Sequence, residues 1–466
     1  MYQPIKPKWG IAFGVLALPG YLQAQVLPEK PNILLIITDQ QSAEAMSFNL
    51  VTKHLNTPNM DNLARHGVTF SNAYCANPLC VPSRSSMFTG RYPHQLDIQT
   101  NETKRLDPEK FPMMGTIFSR NEYETGYVGK WHLPYDAKQK ESHGFQFTEN
   151  IKNNGVDSLL PGSASKFLSA KHEKPFLLVV SFVNPHNICE WPRGQKLPDG
   201  DIGTPPPPDQ CPPLRPNALP SGNESDVMKL IRNSYQLNPM FPVGNFTEAQ
   251  WRQYIWSYYR MIEKTDAEIG KILNTLKKNG LDKNTLIVFL SDHGDCQGAH
   301  QWNQKTVFFE EAAKVPLIVS HPSIAPGKSE VLINTGIDLM PTLCDFAGIS
   351  GSFKPEGISL KPALIHQKLI QRDYVVVSDK LIQGEAINNK KPEPEGRMLR
   401  NKRFKYWIYN EGQRRETLYD LQEDSGEMIN LAGNPKYAAE LLKCRKEIYE
   451  WARQNNDPFI QHLIQP

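Results

Sequence analysis

Two short runs of consecutive apolar residues dominate the pattern of hydrophobic and polar positions. Residues 32–38 (Asn-Ile-Leu-Leu-Ile-Ile-Thr) and 285–291 (Thr-Leu-Ile-Val-Phe-Leu-Ser) are rich in β-branched side chains, and Asp39 and Asp292 follow them directly. Continuous apolar runs of this length are typical of strands buried on both faces of a parallel sheet. Because the functional crevice of such sheets lies beyond the carboxyl ends of the strands, we expect the two acids to lie close together.

The remaining pattern predicts a large α/β fold. Residues 176–182 and 315–320 are further buried runs, and helices are predicted between the strands. The best-defined helix spans residues 247–279 and begins with Thr247 and Gln250 at capping-box spacing. We therefore predict a mostly parallel or mixed sheet flanked by helices.

A change of pattern after about residue 370 predicts a second, smaller unit. Residues 373–378 and 397–409 favour short antiparallel strands, and 436–454 an amphipathic final helix. We interpret residues 371–466 as a small α+β subdomain packed against a main catalytic domain, residues 31–370.

The first residues have the features of a secretory signal peptide. Lys6 and Lys8 precede an apolar run at 9–18, and Leu22-Gln23-Ala24 follows it. We expect residues 1–24 to be removed and the mature protein to be exported, to the periplasm in a bacterium and otherwise to the medium or a lysosome. No later stretch approaches the roughly 20 apolar residues of a membrane helix, so we predict no membrane span in the mature chain.

Residues 186–245 form the longest segment with little periodicity, and it includes the prolines 205–208. Loops of this length are uncommon in compact domains unless they have a function. We expect the segment to shape the substrate pocket, the alternative being a surface excursion far from the chemistry.

Composition narrows the classes of function. A net charge of +3 over 466 residues gives no basic stripe of the kind that binds nucleic acid.

Seven cysteines is an odd number, so at least one is free, and Cys80 is the natural candidate. Cys189 and Cys211 flank the proline-rich segment, and the sequence leaves open whether a disulfide joins them. The other cysteines are expected to be small buried residues: Cys75, Cys296, Cys344 and Cys444.

Three triplets fit the pattern of an N-glycosylation acceptor. They are Asn101-Glu-Thr103, Asn223-Glu-Ser225 and Asn245-Phe-Thr247. Such triplets are common by chance, so they carry little weight on their own.

The chemistry-bearing motifs occur in a fixed order. They are Pro31 to Asp39, Thr57-Pro-Asn-Met-Asp61, Cys80-Val-Pro-Ser-Arg84, Thr89-Gly-Arg91, Gly129-Lys-Trp-His132, Ser291-Asp-His-Gly-Asp295 and the late Leu418-Tyr-Asp-Leu421. The set resembles the formylglycine-dependent sulfatases of the alkaline phosphatase superfamily, over nearly the whole mature chain.

The resemblance implies that Cys80 is oxidised after synthesis to formylglycine, whose aldehyde is held as a gem-diol. One hydroxyl would attack sulfur and expel the alcohol of the substrate, and the second would lose its proton to release sulfate. A formylglycine-generating maturation enzyme is implied as a partner that recognises Cys80 with Pro82 and Arg84. In the finished enzyme Arg84 would stabilise the charged gem-diol.

A divalent metal is implied at the same place. Asp39, Asp292 and the modified Cys80 are the strongest ligand candidates, with calcium favoured and other divalent ions possible. Gln40 and His293 would complete the set. Much of the family has Asp and Asn at these two positions, and the pair found here resembles the choline sulfatase and phosphonate monoester hydrolase branch.

Further basic residues are placed around the nucleophile by the resemblance. Lys130 and His132 are two apart, so in an extended strand they project to the same side; Lys130 would bind sulfate and His132 would help to deprotonate the second hydroxyl. His186 would donate a proton to the departing alcohol or bind sulfate, and Lys305 would add a cation. His300 would either contact substrate or orient its loop.

Three functions are compatible with these residues. The first is an exported sulfatase acting on a carbohydrate such as a glycosaminoglycan or mucin-type glycan. The second is a phosphodiester or phosphonate monoester hydrolase, which Gln40 and His293 favour. The third is a non-catalytic binder of anionic glycans, which applies if Cys80 is never converted.

Overall fold

An eight-stranded sheet lies at the centre of the computed structural model of this chain, which describes residues 30–50, 52–102, 104–351, 354–366, 368–381 and 383–466. The predicted signal peptide, residues 1–24, lies outside the described residues. The strands are β1 Asn32–Asp39, β2 Val68–Tyr74, β3 Glu124–Lys130, β4 Phe147–Lys152, β5 Phe176–Pro185, β6 Thr285–Ser291, β7 Leu317–Ser320, β8 Gly327–Asn334, β9 Tyr374–Lys380, β10 Glu395–Asn401, β11 Phe404–Tyr409 and β12 Glu416–Asp420.

The α-helices of the described residues lie on both faces of the main sheet and against the smaller C-terminal sheet. They are α1 Pro58–His66, α2 Cys80–Thr89, α3 Pro93–Leu96, α4 Met114–Arg120, α5 Lys140–His143, α6 Leu160–Leu168, α7 Asp226–Gln236, α8 Glu248–Lys278, α9 Glu310–Ala313, α10 Thr335–Phe346, α11 Lys361–His366 and α12 Ala438–Gln454. Among them no helix has the length and apolar character needed to cross a bilayer.

The strand order of the main sheet is β4-β3-β5-β1-β6-β7-β2-β8. β7 runs antiparallel to β6 and β2, and the other neighbouring strands are parallel. The predicted mostly parallel or mixed sheet is confirmed. β1 is the fourth of the eight strands, between β5 and β6, so its carboxyl end lies near the middle of that edge of the sheet.

The continuous apolar run of β1 is explained by helices on both faces of the sheet. Ile33, Leu35 and Ile37 belong to one buried cluster, which includes residues of α2, α4 and α10. Leu34 and Ile36 point to the other face and share a cluster with α8. Since successive side chains of a strand alternate between faces, a strand covered on both sides needs apolar residues at every position.

The long helix α8 follows its sequence signals. Thr247 is the residue before the helix, and its hydroxyl accepts a hydrogen bond from the main-chain N–H of Gln250 at 3.3 Å. The Gln250 carboxamide in turn accepts from the N–H of Thr247, so the predicted capping box is formed. The prediction of a helix over 247–279 is confirmed.

The smaller sheet is antiparallel throughout, in the order β12-β11-β10-β9. Residues 397–409, where short antiparallel strands were predicted, lie in β10 and β11, which are joined by a tight turn at residues 402–403. α12 supplies the helix of this α+β unit and packs against it through Leu441 and Ile448. The sheet starts at Tyr374, and the domain border at residue 370 stays a prediction.

One helix was not predicted. Residues 186–245 contain α7, together with several short 3-10 turns. α7 buries Val227, Ile231 and Tyr235, four residues apart, which is the helical period. The interpretation of the whole segment as irregular was therefore wrong, because the prolines before 226 hid a short amphipathic run.

The structure has no disulfide between Cys189 and Cys211. All seven cysteines are free and buried, as expected for the four predicted to be small core residues. The Cys189 thiol lies 3.6 Å from the carboxamide nitrogen of Gln40, and the Cys211 thiol lies 3.5 Å from the carbonyl oxygen of Pro206. Each sulfur therefore has its own neighbour.

A buried ion pair fixes the chain terminus to the C-terminal sheet. Arg397 Nε and Nη2 donate to the two carboxylate oxygens of Asp457 at 2.6 and 2.9 Å, and both side chains are fully buried. Replacing Asp457 by Ala breaks this pair and leaves Arg397 with the partly exposed Glu395, at 2.9 Å, as its carboxylate partner. We therefore expect Asp457→Ala to lower the free energy of unfolding by about 3 kcal/mol, the lower end of the cost of breaking a buried ion pair. Urea denaturation measures this.

Glu450→Ala is the matched control, because Glu450 forms an exposed ion pair with Arg453. Its cost should stay below about 0.5 kcal/mol. Equal costs for the two variants would show that the Arg397 pair does not hold the terminus.

Candidate active site

The two strand-end acids meet as expected. Thr38 of β1 is in register with Ser291 of β6, so Asp39 and Asp292 leave adjacent strands at the same level. The main-chain N–H of Asp292 donates to the carbonyl oxygen of Thr38 at 3.2 Å. Cys80, the first residue of α2, places its sulfur 3.8 Å from Asp39 Oδ1.

Arg84 bridges the two carboxylates. Its Nε donates to Asp292 Oδ2 at 2.8 Å and its Nη2 to Asp39 Oδ2 at 3.0 Å. Its Nη1 donates to Ser181 Oγ at 2.8 Å, and all of these side chains are fully buried. Sequence reasoning missed Ser181, although a lone hydroxyl in the otherwise apolar run 176–183 is a signal that points to it.

Two lysines add positive charge around the sulfur. Lys130 Nζ, at the end of β3, lies 2.7 Å from Asp39 Oδ2 as an ion pair rather than a well-directed hydrogen bond. Lys305 Nζ lies 3.1 Å from Cys80 Sγ. Together with Arg84, three buried cations therefore contact the Cys80 sulfur or the carboxylates of Asp39 and Asp292. Since buried charge must be compensated, the group is suited to an incoming anion.

The charges shift the pKa values of the site. Burial and Asp39 oppose ionisation of the Cys80 thiol, but Lys305, Lys130 and His293 hold its pKa well below the usual range. Burial raises the pKa of Asp39, yet Lys130, His186 and Arg84 together keep it well below its ordinary value. The site therefore stabilises negative charge on the residue at position 80.

Asp292 behaves differently from Asp39. Burial and the neighbouring charge of Asp39 raise its pKa to about 6, against the lowering effect of His293 and Arg84. Its Oδ1 accepts hydrogen bonds from the main-chain N–H groups of Gln40 at 3.1 Å and His293 at 2.9 Å. These contacts orient the carboxylate toward the centre of the site.

The two histidines nearest the sulfur have different states. His293 Nδ1 donates to the carbonyl oxygen of Gly294 at 3.0 Å, and its Nε2 lies 3.2 Å from Cys80 Sγ. Burial lowers the pKa of this ring, but Asp292 and Cys80 hold it above its ordinary value. His186 is half-buried, and burial together with Lys130 and Lys305 lowers its pKa to about 3. At neutral pH its ring is neutral and offers one N–H hydrogen bond.

Gln40 lies beside the carboxylates, with its carboxamide between two charged groups. Its Oε1 accepts from Lys305 Nζ at 2.7 Å, and its Nε2 donates to Asp295 Oδ2 at 2.7 Å. Burial raises the pKa of Asp295 to about 6. The carbonyl oxygen proposed as a metal ligand is thus engaged with Lys305, and its role toward a metal stays a prediction.

His132 is less closely tied to the centre than expected. β3 ends at Lys130, and His132 has a left-handed backbone with φ of 45°. The premise of an extended Lys130–His132 pair was therefore wrong. Its main-chain N–H donates to Asn153 Oδ1 at 3.0 Å, and its buried Nδ1 has no hydrogen-bond partner in the described part of the chain. Its catalytic role stays a prediction.

His300 is packed against neighbouring side chains in the protein interior. Its ring is fully buried and stacks on Phe309 with the ring centres 3.7 Å apart. Its Nε2 lies 3.3 Å from the carboxamide nitrogen of Asn217. Of the two roles considered for His300, these contacts favour orientation of the loop.

The residues at the strand ends fit a divalent ion. Asp39, Cys80, Asp292 and His293 each offer a buried ligand atom, and the four atoms lie within 4.8 Å of one another. Two carboxylates are hard ligands that suit calcium, and conversion of Cys80 would replace its soft sulfur by oxygen. The donor set therefore agrees with the predicted metal site.

The fold and this site together define a class of hydrolase. A buried cysteine begins a helix at the carboxyl edge of an α/β sheet, where strand-borne carboxylates and cations surround it. The chain matches the family described as "Sulfatase" over residues 31–349, and over 298–454 the family described as "N-sulphoglucosamine sulphohydrolase, C-terminal". The chain belongs to the sulfatase family, of the alkaline phosphatase superfamily, and is a sulfuric ester hydrolase.

Individual relatives agree with this assignment. The chain is 32% identical to a Delta 4,5-hexuronate-2-O-sulfatase of Bacteroides thetaiotaomicron, over 95% of this chain and 93% of the relative. A solved structure described as a 2-O GAG sulfatase superposes with a TM-score of 0.77 at 29% identity, covering 92% of this chain and 93% of that one. A phosphonate monoester hydrolase of Agrobacterium radiobacter gives 0.72 at 21% identity, covering 91% and 96%, and shows the shared fold.

The ligand cluster predicts a measurable response to metal. Calcium added to EDTA-treated protein should raise the melting temperature by several degrees, because an ion that binds only the folded state stabilises it. Asp292→Asn keeps the shape of the side chain and removes a charged ligand, so the shift should be lost. Differential scanning fluorimetry measures both.

Asp209→Asn, at an exposed carboxylate, controls for the loss of a negative charge and should keep the wild-type shift. A full calcium shift in Asp292→Asn would contradict the assignment of the ligands.

Proposed function

We propose that this chain is an exported sulfatase that removes a 2-O-sulfate from a hexuronate of a glycosaminoglycan-type sugar. The relative at 32% identity and the solved structure at 29% identity, whose names specify 2-O-sulfate removal, support this choice of substrate. Export rests on the sequence features of residues 1–24. A formylglycine-generating enzyme would be the maturation partner.

The observation that carries the proposal is the environment of the Cys80 sulfur. Lys305 Nζ at 3.1 Å and His293 Nε2 at 3.2 Å contact it directly, and Arg84 and Lys130 pair with the adjacent Asp39 carboxylate. The same charges that favour a thiolate would stabilise an anionic oxygen at this position. Converted to formylglycine, Cys80 would supply a hydroxyl nucleophile and, from its second hydroxyl, the means to release sulfate.

The surrounding residues have separate tasks. Lys130 and Lys305 neutralise the sulfate, whose charge is otherwise costly to bury. Arg84 holds the two carboxylates and the helix turn that carries the nucleophile. His186, neutral at neutral pH, offers its N–H to the leaving alcohol oxygen, and His132 is proposed to accept the proton of the second hydroxyl.

The metal would add to this charge neutralisation. Asp39, Asp292, His293 and the converted Cys80 would hold calcium or another divalent ion, with Gln40 as a further candidate. Bound there, it supplies a positive charge for the sulfate oxygens.

Substrate selection is tested by comparing three substrates on enzyme produced with its maturation enzyme. We expect kcat/KM for a 2-O-sulfated Δ4,5-hexuronate disaccharide to exceed that for glucosamine 6-sulfate and for a phosphonate monoester by at least about tenfold, the scale of a modest specificity difference. Preference for the 6-sulfate would overturn the substrate assignment, and preference for the phosphonate would favour the alternative hydrolase.

Cys80→Ala tests whether the chain acts as a catalyst through this residue. All turnover should disappear, whereas Cys444→Ala, at another buried cysteine, should keep it. Binding of sulfated sugar without turnover in both the wild type and Cys80→Ala would support the non-catalytic binder instead.

Lys305→Met tests the role of the cation beside the nucleophile. Removing the charge should lower kcat/KM about 10²–10³-fold, as for loss of one group that stabilises developing negative charge. Lys314→Met removes a lysine paired with Glu310 instead and should change kcat/KM less than about threefold. A loss below about tenfold in Lys305→Met would contradict the proposed role.

A further inference from the structure

We propose that His300, Glu311 and Glu427 form a second metal site, separate from the residues around Cys80, and that it binds zinc. Each of the three side chains offers a buried ligand atom, and these atoms lie within 4.8 Å of one another. His300 follows β6, Glu311 lies in α9, and Glu427 lies between β12 and α12. An ion held by all three would tie the main sheet to the C-terminal unit.

Each of these side chains has one polar atom held by a neighbour. Glu311 Oε1 accepts from Asn217 Nδ2 at 2.9 Å, and Glu427 Oε2 accepts from the main-chain N–H of Glu310 at 2.7 Å. His300 Nε2 lies 3.3 Å from the same Asn217 nitrogen. Contacts of this kind orient the ligands of a metal site and fix their direction.

The second polar atom of each side chain is buried and makes no hydrogen bond to any residue that the structure describes. These atoms are His300 Nδ1, Glu311 Oε2 and Glu427 Oε1. His300 and Glu427 are fully buried, and Glu311 is 8% exposed. Buried polar atoms are nearly always paired, so three unpaired atoms in one cluster point to a ligand that they share.

The charge of the two carboxylates is only partly compensated. Lys405 Nζ lies 2.8 Å from Glu427 Oε1 in an ion pair, but it also lies 3.0 Å from Glu310 Oε1. Arg215 is shared in the same way, between Glu311 at 3.5 Å and a second carboxylate. Since buried negative charge is costly without full compensation, the cluster favours a further cation.

The backbone fixes two of the three ligands. His300 and Glu427 have left-handed conformations with φ of 53° and 58°, which are uncommon for residues other than glycine. The N–H of His300 donates to the carbonyl oxygen of Asn217 at 2.7 Å, and the N–H of Glu427 to that of Asp424 at 3.2 Å. The conformation that brings the two side chains together is therefore held by main-chain hydrogen bonds.

Zinc fits this donor set better than calcium does. An imidazole nitrogen with carboxylate oxygens is a set that zinc binds, whereas calcium takes oxygen ligands. Ligand atoms at about 2.1 Å from one zinc ion are up to about 4.2 Å apart, so the side chains are within about an ångström of that geometry.

A cavity gives an ion access to the cluster. Its volume is about 310 Å³, and Glu311 and Ser425, two residues before Glu427, are among the residues that line it. The cavity can also supply the water that completes a four-coordinate zinc ion.

Two metals and a small set of full-length variants separate this site from the one around Cys80. Glu427→Gln and Glu311→Gln each remove a charged ligand and keep the size of the side chain. Glu423→Gln, at an exposed carboxylate four residues from Glu427, is the matched control. Protein treated with EDTA is given calcium and then a small excess of zinc, and is desalted. Mass spectrometry of the elements counts bound zinc, and scanning fluorimetry gives the rise in melting temperature.

We expect about one zinc ion per chain in the wild type and Glu423→Gln, and less than about a fifth of that in the two ligand variants. Zinc should raise the melting temperature of the wild type by several degrees and that of the ligand variants by less than about 1 °C, because the ion stabilises only the state that binds it. Asp292→Asn should keep the zinc response, and Glu427→Gln should keep the calcium response.

Three results would overturn the inference. They are a wild type without bound zinc, an undiminished zinc content in both ligand variants, and an equal loss of zinc in Asp292→Asn, which would assign the ion to the catalytic centre. An anomalous difference map at the zinc edge, from wild-type crystals, needs no variant to fold. A peak between His300, Glu311 and Glu427 supports the site, and peaks elsewhere alone contradict it. None of these measurements uses hydrolysis, so failure of the proposed function leaves the test intact.

Discussion

The buried guanidinium of Arg84 is the interaction on which the site depends. Asp39 and Asp292 end adjacent strands and are both fully buried, an arrangement that is costly unless a cation compensates it. Arg84 contacts both carboxylates, and it lies one helical turn after Cys80 on α2. Residues four apart share a helix face. The ion pairs that compensate the buried charges of Asp39 and Asp292 therefore also fix the position of Cys80.

Positive charge around Cys80 links this architecture to its chemistry. Lys130 and Lys305 come from different segments; Lys130 contacts the Asp39 carboxylate, and Lys305 contacts the Cys80 sulfur. Their effect on the thiol pKa shows that the site favours an anion at position 80. A sulfate ester brings its own negative charge, and the same cations meet it, which explains how one site serves both the nucleophile and the substrate.

Much of the fold was predictable because both faces of the sheet are covered. The apolar runs of β1 and β6 need no partner to be recognised, and the acids that follow them meet because parallel strands share an edge. α7 was missed since its short apolar pattern follows a proline-rich stretch. Most residues that the motifs single out lie together in the structure. Three features could not be predicted because they depend on packing between distant segments: the contact of Ser181 with Arg84, the contact of Gln40 with Lys305 and the left-handed backbone at His132.

The central claim is that Cys80 is the modified nucleophile, and the mass of the peptide that contains it tests this most directly. Protein from its native host, or from cells with the maturation enzyme, should give a peptide about 18 Da lighter than the unmodified sequence, as expected when a CH2SH group becomes an aldehyde. An unmodified thiol in fully active protein would contradict the account.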